Sequence, residues 1–427
     1  HALAHAAFLA MLRRQGHSAA ELAEKSLSIA ESGGFDAVAA NAEHVLACAR
    51  LISGREDEAI DRLVRLEHEA AESGDLFGRT RLAVNLGSGC GEVRKYDDAV
   101  RWLVIARGLA AGLDMDQAAA YSSGWLARVA FETGRWDEVA DLVDEASGGP
   151  SVAHKLLAGY ARVTALGALG RTRVRRGDPG GAKTLREALE LGADHDFQYL
   201  WPVACGLAED ALWRGQPDEG LGWLGPLHEA ALATESTWGR GETSYWMWRL
   251  GSLSALPNDD EDDGDGGPSL PALDTLAEPF GLAVSGRWQD AADAWELLGC
   301  PYEQALSLVD SGEVESLTRA IQLLDDMGAR PAAAWARQRL RDIEGSTVPA
   351  MPRTSTAANP ASITNRQREV LTLLVEGASN QEIADRLFVT KKTIEHHVSA
   401  IYSKLGVTGR PSAMVAGREL LSELRPE

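Results

Sequence analysis

The 427-residue chain has few of the features that mark extracellular, metal-bound or membrane proteins. It holds four widely spaced cysteines that form no CxxC pair, which argues against a disulfide framework or a zinc site and is typical of a reducing compartment. No apolar run approaches the roughly 18 residues of a membrane span, so we expect no membrane insertion and a cytoplasmic protein. The cysteines are Cys48, Cys90, Cys205 and Cys300.

Positive charge is scarce as well. Lysine and arginine number 42 against 63 aspartate and glutamate residues, which gives a net charge of −21. Because nucleic acid is a polyanion, a chain this acidic is not expected to bind it along its whole surface. Any contact with nucleic acid must come from a segment whose charge departs from the average.

Targeting and catalytic motifs are also missing. Residue 1 is His, and residues 1–14 resemble a helix interior without the basic and apolar parts of a secretory signal. We therefore expect a fragment of a longer chain or a trimmed form. No GxSxG nucleophile motif and no GxxxxGK[ST] phosphate loop occurs, so the sequence predicts no enzyme, no cofactor and no metal.

What the sequence does contain is a repeat. Apolar residues recur at helical spacing over residues 1–344, and similar turn segments begin at residues 54, 94, 134, 177, 215 and 286. A period near 40 residues predicts stacked helix pairs. Small residues such as Gly87 and Gly170 let paired helices approach closely, and glycine in a turn supplies a positive φ. We predict an all-α, tetratricopeptide-like solenoid, with a groove for an unknown protein or small-molecule partner.

Two segments interrupt this pattern. Residues 257–270 contain an acidic run, NDDEDDGDGG, whose spacing differs from an EF-hand loop and which lacks the closing glutamate. A solvated acidic loop is therefore favoured over a metal site. Residues 345–362 are rich in serine, threonine, alanine and proline, which predicts a linker between two domains.

Half of the twelve tryptophans fall within residues 201–248. One interpretation is an aromatic groove for a ligand or peptide. The favoured interpretation is the apolar core of the repeats. These tryptophans are Trp201, Trp213, Trp223, Trp238, Trp246 and Trp248.

Residues 363–427 differ from the rest in charge and pattern. They carry nine basic and eight acidic residues, a net charge of +1, which leaves −22 for the remainder. Capping boxes at residues 364–367 and 379–382, with Gly377 between them, predict two short helices, and a third helix and a fourth follow. This pattern predicts a four-helix unit with a helix-turn-helix. Its predicted core is Ile383, Ala384, Leu387, Val389, Ile394, Val398, Ile401 and Leu405.

Residues 363–407 resemble the LuxR-type DNA-binding domain. Residues 295–303 and 324–334 resemble, more weakly, the region before that domain in large ATP-binding LuxR regulators, although the ATPase motif is absent here. The positions that carry the first resemblance are Glu369, Val370, Leu371, Gly377, Asn380, Glu382, Ile383, Ala384, Leu387, Thr393, His397, Lys404, Leu405 and Gly406.

The resemblance implies that the third helix enters the major groove and that the domain dimerises through the fourth. The implied partners are double-stranded DNA and a second copy of the chain, with RNA polymerase as a further candidate. The residues implied to face base edges are Glu395, His396 and Ser399. Those implied to contact phosphate are Lys391, Lys392, Thr393 and Lys404.

The function expected on this basis is sequence-specific transcription regulation. The helical body, residues 1–344, would mediate sensing, partner binding or oligomerisation, and residues 363–427 would bind DNA. Two alternatives stay open at this point. The chain could be a scaffold that uses the helix-turn-helix as a docking module, or a fragment of a signalling ATPase.

Overall fold

The chain folds into two compact units, residues 1–348 and 349–427. Twenty-one α-helices and no strand occur among the residues that the computed structural model describes, which confirms the all-α prediction. No helix in this part of the chain combines the length and hydropathy that crossing a membrane requires. The described residues are 2–147, 159–192, 197–253, 270–343, 365–386, 394, 398, 401–402, 404–405 and 407–423.

The first unit, called the body below, is a succession of helices joined by short turns. Its first helices are α1 (Ala2–Leu12), α2 (Gly16–Gly33), α3 (Asp36–Ile52), α4 (Glu56–Ser73), α5 (Leu76–Glu92), α6 (Tyr96–Gly112), α7 (Asp116–Glu132) and α8 (Val139–Ala146). The next are α9 (Gly159–Arg176), α10 (Gly181–Leu191), α11 (Phe197–Trp213), α12 (Pro217–Leu232) and α13 (Thr237–Arg249). The last are α14 (Glu278–Val284), α15 (Trp288–Leu297), α16 (Pro301–Ser311), α17 (Val314–Asp326) and α18 (Arg330–Asp342).

Helices α1 to α13 form two layers. Each even-numbered helix packs on its chain neighbours, whereas odd-numbered helices also pack on one another, as in α5 on α7 and α9 on α11. The sequence explains this division. Helix α4 has a single apolar stripe, with Ala59 and Leu63 buried, while α7 is buried on all sides from Ser122 to Glu132. The odd-numbered helices therefore form the inner layer of the predicted helical repeats.

The turn that begins each repeat segment adopts the predicted left-handed conformation. Gly54, Gly134 and Gly177 have φ values of 78°, 76° and 73°. The same conformation occurs at Arg94, where φ is 64° although the residue is not glycine. An L-residue rarely adopts this conformation, so the side chain of Arg94 must be held by its surroundings.

Close contact between paired helices also follows the prediction. A Cβ atom added to Gly87 would lie 2.6 Å from Cγ of Leu103, and one added to Gly170 would lie 2.6 Å from Cγ of Leu185. No side chain fits at either position, so the glycines set the distance between α5 and α6 and between α9 and α10.

The tryptophan-rich region is core. Trp201 and Trp246 are 2% exposed and Trp238 is 9% exposed. Trp238 packs edge-to-face on Phe280, with ring centroids 6.2 Å apart, and such aromatic contacts join α13 to α14. The core interpretation is confirmed for these residues.

Charged side chains meet at the centre of the body, in what we call the central ion cluster. Arg94 and Arg128 both donate to the Glu132 carboxylate, at 2.8 and 3.0 Å, and all three side chains are buried. Burial alone would raise the pKa of Glu132, but the guanidinium groups of Arg94 and Arg128 hold it below its ordinary value. The other members are Arg171, Arg175, Glu209, Glu242 and Glu303.

The last helices of the body contact residues of its earlier helices and turns. The hydroxyl of Tyr96 lies 3.4 Å from the Cys300 sulfur, and Arg175 donates to Glu303 at 2.7 Å. Arg330, at the start of α18, donates to the Arg176 carbonyl at 2.6 Å. Contacts between residues so distant in sequence show that the repeat array closes on itself, so that part of its inner face is covered by its own C-terminal helices.

Two predicted segments cannot be compared with this structure. The acidic segment 257–270 lies outside the described residues except at Leu270, which is buried. The predicted linker, 345–362, lies outside them entirely. The proposed limits of the helical repeats and of the DNA-binding domain therefore stay predictions.

Candidate nucleic-acid interface

The second unit, called the reader below, is built on one apolar core. Its described helices are α19 (Asn365–Val375), α20 (Asn380–Arg386) and α21 (Arg410–Glu423). A further helical stretch is described at positions 394, 398, 401–402 and 404. The side chains of this core are Val370, Leu371, Leu374, Ile383, Ile394, Val398, Ile401 and Ala413, all buried.

The predicted core residues fall into three groups. Ile383, Ile394, Val398 and Ile401 are buried together, and Leu405 packs against them. The spacing of 4, 3 and 4 residues between positions 394 and 405 therefore corresponds to one buried face of a helix. Ala384 lies in α20, but its side chain is not described, and Leu387 and Val389 lie outside the described residues.

A tight turn joins α19 to α20. Gly377 has a φ of 91°, which favours glycine, and Ala378 behind it is 8% exposed. The Ser379 N–H donates to the Glu382 carboxylate at 2.7 Å, and the Glu382 N–H donates to the Ser379 hydroxyl at 3.3 Å. This is the capping box expected from the sequence. The N–H of Ser379 also lowers the pKa of Glu382, so the cap persists at neutral pH.

The fourth helix supports this turn through residues that sequence reasoning missed. Arg410, the first residue of α21, donates to the Ala378 carbonyl and, at 2.9 Å, to the side-chain oxygen of Asn380. A Cβ atom on Gly417 would lie 2.6 Å from Leu371, so α21 approaches α19 closely. Only the local pattern of Arg-Pro at a helix start could have suggested Arg410, and that pattern does not identify its partner.

Most of the predicted contact residues cannot be placed. Glu395, His396, Ser399, Lys391, Lys392 and Thr393 lie outside the described residues. Lys404 is described, is helical and has an exposed side chain. Among the described residues, no group of histidine, cysteine, aspartate or glutamate side chains is arranged to hold a metal ion.

Helices α19 and α20 and the helical positions 394, 398 and 401 share one apolar core, which is the arrangement of a small helical unit that contains a helix-turn-helix. Residues 361–416 match the family model described as bacterial regulatory proteins, luxR family. The spore germination protein GerE of Bacillus subtilis is 47% identical over 53 residues, which cover 72% of that protein and 12% of this chain. The chain therefore belongs to the LuxR family of bacterial DNA-binding transcription regulators.

Longer relatives share only part of their length with this chain. The transcriptional regulatory protein LiaR of Bacillus subtilis is 30% identical over 115 residues, so the chain spans about half of it (54%) and 26% of the chain is matched. The DNA-binding transcriptional activator DevR/DosR of Mycobacterium tuberculosis is 42% identical over 60 residues, 28% of its length and 14% of this chain.

One likeness among solved structures extends over nearly the whole chain. A circular tandem repeat protein with a novel repeat topology covers 99% of this chain and 93% of its own, at 14% identity and a TM-score of 0.22.

Proposed function

We propose that the chain is a sequence-specific transcription regulator that binds double-stranded DNA through the reader under the control of the body. The observation that carries this proposal is the helix-turn-helix core of a separate compact unit, in a sequence that matches the LuxR family there. In this proposal the chain acts in the bacterial cytoplasm and is not an enzyme.

The contacts with DNA follow from the chemistry of the implied residues. Lys391, Lys392, Thr393 and Lys404 bind phosphates, which supplies affinity that depends on salt but not on sequence. Glu395 accepts from the amino group of a cytosine, and His396 and Ser399 contact neighbouring base edges. Glu395 repels phosphate, so its contribution is to sequence preference more than to affinity.

The body supplies control in this proposal. The net charge of −22 carried by residues 1–362 opposes contact with DNA until the reader is presented. A homodimer formed through α21 places two readers on one duplex, so that each raises the effective concentration of the other. RNA polymerase is a further proposed partner, and the body senses a protein or a small molecule.

Selection from a random duplex library at near-physiological salt tests the proposal. We expect the full chain to enrich a two-fold-related site, and the fragment 349–427 to bind it at least as tightly. Failure of both to enrich any sequence would contradict DNA recognition. Weaker binding by the fragment at equal salt would contradict control by the charge of the body.

Two variants test the assigned contacts. Glu395→Ala should change the preferred sequence more than the affinity, and equal weakening on every duplex would reject a base contact. Lys391→Ala should lower the slope of log affinity against log salt by about one charge. An unchanged slope would reject the phosphate contact.

A further inference from the structure

A pocket of about 100 Å³ lies in the body where the first repeats meet α11. Its walls come from the ends of α1 and α3, the inner faces of α5 and α7, and the start of α11. It lies in the inner layer and is separate from the central ion cluster. One occupant would therefore contact α1, α3, α5 and α7 together with α11, which begins at residue 197, 65 residues after α7 ends at residue 132.

The polar side of this pocket carries one charge of each sign. The Arg14 guanidinium lies 2.6 Å from the Glu92 carboxylate, and each side chain is 13% exposed. Two buried donors beside this pair, Nε of Arg14 and Nε1 of Trp125, have no hydrogen-bond partner in the described part of the chain. An unpaired buried donor is unfavourable, so a ligand with acceptor oxygens would satisfy groups that the protein leaves unpaired.

The hydroxyls of Tyr121 and Tyr199 add a further donor. They lie 3.3 Å apart, so one donates to the other and the second keeps a proton for a ligand. Burial raises the pKa of Tyr199 well above its ordinary value, which keeps this hydroxyl neutral. The opposite wall is apolar, with Met11, Leu51 and Ile52 among its residues.

The backbone at Arg14 gives independent support. Arg14 has a φ of 58°, a conformation that glycine provides at the repeat turns Gly54, Gly134 and Gly177. Its carbonyl accepts from the Glu235 N–H at 3.1 Å, which ties this turn to the one between α12 and α13. Arg14 is therefore a non-glycine residue in a strained conformation, and its side chain pairs with Glu92 beside the pocket. Strain of this kind marks a candidate functional position.

We propose that this pocket binds an α-amino acid with an aliphatic side chain. The carboxylate of the ligand accepts from Arg14, Trp125 and a tyrosine hydroxyl, and its ammonium group pairs with Glu92. Its side chain packs against Leu51 and Ile52. One water molecule needs about 10–15 Å³ of cavity volume, so a pocket of about 100 Å³ has room for roughly seven to ten non-hydrogen atoms. This size suits valine or leucine and is too small for tryptophan. The assignment of this ligand as the signal that the body senses rests on the proposed function.

Calorimetry on the full chain tests the assignment, with L-valine, L-leucine, L-isoleucine and L-methionine as probes. We expect at least one to bind, and its analogues without the ammonium or without the carboxylate to bind at least tenfold more weakly. For leucine these analogues are 4-methylpentanoate and 3-methylbutylamine. Absence of binding by all four probes, or equal binding of either analogue, would overturn the proposal.

Arg14→Gly is the decisive variant, because glycine adopts the same φ without strain and the fold should persist. We expect at least tenfold weaker binding, with the neighbouring exposed Arg13→Ala as a control that binds like wild type. Unchanged binding by a folded Arg14→Gly chain, checked by its tryptophan fluorescence, would overturn the assignment. No DNA is present in this assay. A chain that enriches a DNA site but binds no probe would thus reject the pocket while leaving the proposed function intact.

Discussion

The two units of this protein are held together by different kinds of core. The centre of the body buries paired charges, such as Arg175 with Glu209 and Arg171 with Glu242, together with aromatic rings. The buried side chains in the described core of the reader are all aliphatic, such as Leu371, Ile394 and Ile401. The reader has only a few short helices, which can pack in few ways. The body has many similar helices, which can pack on one another in several alternative arrangements.

In the body, paired buried charges favour one of these packing arrangements over the others. Repeats with alike apolar stripes can pack on one another in several registers, and hydrophobic burial distinguishes these only weakly. A buried guanidinium without a carboxylate is strongly unfavourable, so registers that separate Arg94 from Glu132 are disfavoured. The body thus uses buried charge to specify which helices meet, whereas the described core of the reader is apolar.

Glu132→Gln should give the largest effect. It leaves Arg128 buried without a countercharge and Arg94 with only the more distant Glu242, at 3.8 Å. We therefore expect the free energy of unfolding of the body to fall by about 3–5 kcal/mol. Urea unfolding followed by tryptophan fluorescence measures this, because all twelve tryptophans belong to residues 102–335.

Glu138→Gln is the matched control for that measurement. Glu138 pairs with Arg135 at 2.9 Å, but the side chains are 52% and 42% exposed. Exposed pairs contribute about 0–1 kcal/mol, so the control should unfold close to wild type. Equal effects of the two substitutions would show that the central ion cluster does not specify the body.

Ile401→Ala should come next and affect only the reader. Ile401 is fully buried, and its truncation should lower the free energy of unfolding of the fragment 349–427 by about 2–4 kcal/mol. We expect DNA binding by the full chain to weaken, while the tryptophan signal of the body stays unchanged. Val415→Ala, at a position that is 63% exposed, should change stability by less than about 0.5 kcal/mol. A change in the tryptophan transition caused by Ile401→Ala would contradict separate cores.

A pH dependence of the stability of the body gives the smallest effect for a change of one pH unit. Burial, with a smaller contribution from Arg81, lowers the pKa of His44 from 6.5 to about 3, and Asn85 donates to its ring at 2.7 Å. Between these two pH values the unfolded chain binds a proton at His44 that the folded chain does not. Stability therefore rises with pH in this window and is lost as pH falls below 6.5, by up to about 1.4 kcal/mol per pH unit.

His44→Gln removes this proton, so the pH slope of its unfolding free energy between pH 4 and 6.5 should be lower than in wild type. Unfolding in urea at several pH values measures the slope. His68→Gln serves as control, because the side chain of His68 is 69% exposed. An equal slope in wild type and His44→Gln would contradict a neutral buried imidazole.

Sequence analysis predicted the structural features that depend on residues close together in the chain. Helical periodicity indicated the helix pairs, glycine indicated the turns at positions 54, 134 and 177, and a capping box indicated α20. It did not predict the left-handed conformation at Arg14 and Arg94, because the distant glutamates that hold these side chains are not visible in a local window. The bond from Arg410 to Ala378 was missed for the same reason, and the closure of the body through Tyr96 and Cys300 depends on folding over 204 residues.

The contacts between the C-terminal helices of the body and its earlier helices also limit how many repeats the chain can gain or lose. In an open solenoid each repeat touches only its neighbours, so that a repeat can be duplicated or deleted at modest cost. Here the Arg14 turn contacts Glu235, and Arg175 contacts Glu303. Deleting one unit of about 40 residues between these partners would move them out of register. The buried Arg175 would then lose its contact with Glu303. These long-range contacts therefore fix the number of repeats, and homologous chains that keep them should tolerate insertions in turns but not whole added repeats.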